Sequence, residues 1–99
     1  MFEVISMTSL TYAKTRIIHV GDGQYSQSSE DMAKRLLDYC QPIEPIDHIL
    51  IYGSEPSMSI VFKRKRHVDM SDMRKINEMG TVESIATRNG QIRISVRID

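Results

Sequence analysis

Five consecutive basic or potentially basic residues, Lys63, Arg64, Lys65, Arg66 and His67, follow the alternating run Ser57–Phe62. No other stretch concentrates charge of one sign in this way. Cations spaced along a surface are what phosphate contact requires. If the strand runs on through the block, its two-residue period divides the charges. Met58, Ile60 and Phe62 face inward, which turns Lys63 and Lys65 outward and leaves Arg64 and Arg66 toward the sheet rim. Farther along, Ile92, Ile94 and Val96 form a second inward row, which turns Arg93 and Arg97 outward. Lys63, Lys65, Arg93 and Arg97 are therefore the leading members of one basic patch, joined by Lys14, Arg16 and the rim pair Arg64 and Arg66.

Other chemistry is thinly supplied. His19, His48, His67 and Cys40 are scattered, with no His pair one helical turn apart and no Cys-x-x-Cys, so no metal ligation is expected. Gly21-Asp22-Gly23 opens like a phosphate-cradling loop. It lacks the third glycine and any Gly-Lys-Ser/Thr, and Glu30 and Asp31 already occupy the positive end of the helix that follows. A plain turn accounts for it. No nucleophile elbow or Ser-x-x-Lys motif is present. No enzyme and no cofactor is expected.

Ninety-nine residues make one α+β domain spanning 1–99. Hydrophobic residues at 40% and charged residues at 26% are the balance of a folded domain and argue against disorder. Thirteen Lys and Arg against thirteen Asp and Glu give zero formal charge, so a polyanion site must come from segregation of charge. One cysteine excludes an intrachain disulfide and fits a reducing, cytoplasmic setting. The first ten residues have no basic segment and carry Glu3, and no apolar run approaches a bilayer span, so neither a signal peptide nor a membrane partner is expected.

The elements that must position the cations read ββ-α-ββ-α-ββ. Phe2–Thr8 and Tyr12–Val20 are the first two strands, which puts Tyr12 in parity with Lys14 and Arg16. A helix begins near Ser28 or Ser29, carries Met32, Leu36, Leu37 and Cys40 on one face, and stops at Pro42 and Pro45. Asp47–Tyr52 and the return strand from Ser57 form a hairpin around Gly53–Pro56. Asp69 caps a second helix, with Val68 and Met73 spaced as a hydrophobic staple. Asn89-Gly90 between two alternating runs is a strong two-residue hairpin signal, and it sets Arg93, Ser95 and Arg97 opposite Ala86, Ser84 and Val82.

The expected architecture is a mainly antiparallel sheet with both helices on one face. Its inner six elements follow a ferredoxin-like, split β-α-β plan with an extra strand at each end. Nine of the 13 basic residues fall in the expected strand segments, so the uncovered sheet face should be basic and the helical layer the more acidic one. That favours a small non-catalytic binding module engaging a polyanion, nucleic acid foremost. The alternative is a protein-binding inhibitor or adaptor, or a homo-oligomer of the viral or mobile-element accessory type. It would use the sheet face or the edge of the Gln91–Asp99 strand against an acidic protein surface or a second copy. Exposed strands also carry Lys and Arg simply to discourage edge pairing.

Overall fold

The segment Met7–Val20 folds back on itself at Ala13 and Lys14, both held at positive φ (49° and 64°), so Tyr12 pairs directly with Thr15. In this computed structural model, which describes residues 7–39, 46–66 and 68–98, that hairpin supplies β1 (Met7–Tyr12) and β2 (Thr15–Val20). The turn lies farther along the chain than the sequence suggests, and the expected Tyr12–Val20 strand is broken by it. Phe2–Ser6, Cys40, Pro42, Pro45, His67 and Asp99 lie outside the described residues.

Helix α1 (Ser26–Tyr39) then carries the chain to β3 (Ile46–Tyr52), which pairs parallel to β2. A tight turn returns as β4 (Ser57–Phe62), antiparallel to β3. Helix α2 (Met70–Met79) follows, with Asp69 at its N-cap, although the Asp69 side chain makes no capping hydrogen bond. The last two strands, β5 (Thr81–Arg88) and β6 (Gln91–Arg97), meet at Asn89-Gly90, both with positive φ as a primed two-residue turn needs.

The six strands form one mixed sheet in the order β1-β2-β3-β4-β6-β5, with four antiparallel pairings and one parallel. The ferredoxin-like arrangement would separate β2 from β3, whereas here they are neighbours. The split falls in the second half, where β6 lies between β4 and β5. Nor does the last strand form an extra edge; the edges are β1 and β5. The apolar rows explain the choice. In β6, Ile94 and Val96 continue Ile60 and Met58 of β4, and all four are at most 1% exposed. In β5 the same face offers Val82, Ile85 and Thr87, a weaker row that belongs at an edge.

Both helices cover one face, and α1 packs against α2 as well as against β2, β3 and β4. Ala33, Leu36, Leu37 and Ile76 close over Ile17, Ile49, Ile51, Met58, Ile60 and Phe62. Each large side chain fully buried there contributes roughly 1.5–3 kcal/mol. Among the described residues the other sheet face carries no helix. No helix among the described residues is long and apolar enough to cross a membrane.

Candidate functional site

Strand register fixes what the uncovered face presents, because directly paired residues point to the same side. One row across the sheet reads Thr11, Arg16, His48, Val61, Arg93, Ala86. The next reads Ser9, Ile18, Leu50, Ser59, Ser95, Ser84. A third reads Met7, Val20, Tyr52, Ser57, Arg97, Thr81. Arg88 and Gln91 pair beyond the first row, at the hairpin end.

Among the described residues all four strand arginines, Arg16, Arg88, Arg93 and Arg97, therefore lie on the open face, and no ladder position on that face holds a carboxylate. The two carboxylates within described strands, Asp47 and Glu83, sit where the register slips, between Ile46 and His48 and between Val82 and Ser84. A bulge residue is left out of the pairing. The bulge at Glu83 also turns Val82 inward against Val96, so Arg97 pairs with Thr81 in place of the expected Val82.

Arg93 and Arg97 are four residues apart on one strand, about 13 Å, and Arg16 is three strand spacings from Arg93, about 14 Å. Arg88 and Arg93 are diagonal neighbours across β5 and β6, their backbones about 7–8 Å apart. Arg16, Arg88 and Arg93 make no ion pair or side-chain hydrogen bond among the described residues. Arg88 and Arg93 flank a concave seat of about 190 Å³ lined also by Val61, Asn89 and Gln91. Val61 is 2% exposed although no helix covers it. Its partners His48 and Arg93 flank it, so the seat has an apolar floor and a cationic wall.

The basic block does not continue β4. Strand pairing ends at Phe62, and Lys63–Arg66 is an exposed turn in which Arg66 N–H bonds the Lys63 carbonyl at 3.3 Å and Lys65 has φ +61°. Alternation therefore assigns no face to Lys63 or Lys65. Arg64 is a structural latch: its Nε donates to the Asn89 carbonyl at 3.0 Å. Lys65 N–H donates to the Gly90 carbonyl at 3.3 Å, and Gln91 Nε2 donates to the Phe62 carbonyl at 3.2 Å. These bonds hold the basic turn against the hairpin end that carries Arg88 and Arg93. Lys14 sits in the β1–β2 turn, away from that corner.

Tyr12 is on the helix side, since its turn lies between it and Arg16. Its hydroxyl donates to Asp38, 2.9 Å from each carboxylate oxygen. That hydrogen bond above all, then burial and the nearby negative charge, holds the phenol above its ordinary pKa. On the same side His19 Nε2 meets Glu30 Oε1 at 2.8 Å, and Lys34 meets Glu30 Oε2 at 3.3 Å. The bond from His19 leads in lowering the Glu30 pKa, with Lys34 assisting against the opposing effect of burial. The Tyr12–Asp38 and His19–Glu30 pairs tie α1 to the first hairpin, while Lys34–Glu30 lies within α1. Among the described residues no group of three or more His, Cys, Asp or Glu could hold a metal ion.

Of the residues expected from the sequence, the fold brings Arg16, Arg93 and Arg97 onto one face. It sets Lys63, Arg64, Lys65 and Arg66 in a turn at its end and leaves Lys14 in a separate turn. Arg88 and Tyr52 are additions. Arg88 was accessible to the same parity argument, since the Asn-Gly turn pairs it with Gln91, two residues from Arg93. Tyr52 was masked by the apolar run around it. Comparison with protein-family models, with curated proteins and with solved structures finds no match to this chain.

Proposed function

We propose that the protein is a non-catalytic binding module whose open sheet face engages the phosphate backbone of a nucleic acid. The observation that carries this is the sorting of strand charge: among the described residues four arginines lie on the open face, no carboxylate holds one of its ladder positions, and both strand carboxylates fall in bulges, Asp47 reaching that face only through His48 Nδ1 at 2.7 Å. Arg88 and Arg93 form the centre of the site, because two like charges at diagonal positions with no acid partner repel each other until an anion arrives. Arg16 and Arg97 extend contact across and along the sheet, and the Lys63–Arg66 turn adds cations at the hairpin end. Tyr52 is the one aromatic on the registered open face. Base stacking is correspondingly limited, and the contacts are chiefly to phosphate.

The test is titration of the full chain against labelled single- and double-stranded oligonucleotides at two salt concentrations. Binding that weakens steeply with salt is expected. No binding at low salt, or binding indifferent to salt, overturns the reading.

A further inference from the structure

Among the described residues strand β5 is an edge of eight residues, paired on one side only, and all of them except Val82 are exposed. Near its centre Ile85 is 58% exposed, in the inward row but beyond the cover of α2. A strand paired on one side only presents backbone donors and acceptors around Ile85, and sheets usually guard such edges with lysine, proline or a covering element. Here the one strand cation is Arg88 at the far end, no proline is present, and the bulge at Glu83 sits toward the start.

We propose that β5 pairs antiparallel with β5 of a second copy, about a twofold axis through Ile85, joining two sheets into one. Three features select a second copy as the occupant. Glu83 lies toward one end of the strand and Arg88 at the other, so antiparallel pairing sets the acidic end of each copy beside the basic end of its partner; parallel pairing would set like beside like. With the axis through Ile85, that side chain meets itself and loses the water it faces in the monomer. Ser84 then faces Ala86, so small side chains flank the axis on the open face and nothing bulky obstructs approach. Zero formal charge leaves no long-range repulsion between copies. The axis is perpendicular to the sheet, so both helix layers stay on one side and both arginine faces on the other.

The test is light scattering of the full chain over a concentration series, with variants. The average mass should rise to twice that of the chain, and Ile85→Lys should stay monomeric while remaining folded by circular dichroism. In a Cys40→Ser background, Ile85→Cys should cross-link on oxidation, since directly opposed residues lie about 4.5–5.5 Å apart between Cα atoms, within disulfide reach. Ser84→Cys, displaced from its own copy by two positions, should not. A wild-type chain monomeric throughout overturns the proposal. So does a dimer that survives Ile85→Lys, one that dissociates on Met7→Lys at the β1 edge, or failure of Ile85→Cys to cross-link.

Discussion

Replacing Arg93 by Gln removes one charge from the centre of the open face while keeping a polar chain of similar length. If Arg16, Arg88, Arg93 and Arg97 each engage one phosphate of a single strand, the slope of log K against log salt is about −3, at about 0.7 per contact. From about 50 to 200 mM salt the wild-type chain then loses about 50-fold in affinity, and the variant, with three contacts, about 20-fold. At the low-salt end the variant binds about tenfold more weakly, because a hydrogen bond to a charged group is worth about 1.5 kcal/mol or more. Folding stability should stay within about 0.5 kcal/mol, since the loss of a half-exposed side chain is partly offset by relief of repulsion from Arg88. Fluorescence anisotropy across the salt range measures slope and affinity together. Arg35→Gln, on the exposed side of α1, changes net charge equally and serves as control. If Arg93→Gln leaves the slope unchanged, or if Arg35→Gln lowers it as much, attraction is not localised on the sheet face and the reasoning fails.

Gly53→Ala should cost about 2 kcal/mol or more by chemical denaturation, because the added carbon would stand 2.6 Å from the Gly23 amide nitrogen and against Ser26 Oγ, with backbone unable to yield. Ser29→Ala should stabilise by about 1 kcal/mol, since Ser29 Oγ is buried without a hydrogen-bond partner and alanine is the better helix former. Lys14→Gly should stabilise by about 0.5–1 kcal/mol, because relief at a left-handed position exceeds the extra freedom of glycine in the unfolded chain. The same variant should leave the salt slope of binding as it is. Glu30, held below its ordinary pKa of 4.5 by His19 and then Lys34, contributes stability that is full above that value and lost as pH falls through the lower folded-state value. Glu30→Gln should therefore show less loss of stability on acidification than the wild type, measured by denaturant melts at stepped pH.

Local signals carried much of the fold and failed at identifiable points. Asn89-Gly90 announced its hairpin because both residues tolerate positive φ, whereas Ala13-Lys14 adopts the same kind of turn with residues that do not advertise it. Missing that turn put Tyr12 on the wrong face. Parity carried Arg93 and Arg97 to the open face but was extended through Lys63 and Lys65, where the strand had already ended at Phe62. Bulges at Asp47 and Glu83 could not be read, since one inserted residue leaves the composition of a strand unchanged while reversing the parity of what lies beyond it. Strand order was the largest miss. It turns on which member of the last hairpin completes the apolar row of β4, a comparison between segments that no single window contains.

Helices α1 and α2 together carry five acids, Glu30, Asp31, Asp38, Asp72 and Glu78, against the four bases Lys34, Arg35, Arg74 and Lys75. The helical layer is thus the more acidic of the two sides, as expected, but with a single net negative charge. The asymmetry arises in the sheet, where the bulges take both strand carboxylates out of the ladder and alternation sends every strand arginine to one side. Removing those acids would raise the net charge without bringing the arginines any nearer to one another. Moving them into ladder positions would set carboxylates beside the cations and quench the face at the same net charge. Any attraction for phosphate consequently depends on register, and a one-residue slip in β6 would bury Arg93 and Arg97 and expose Ile94 and Val96.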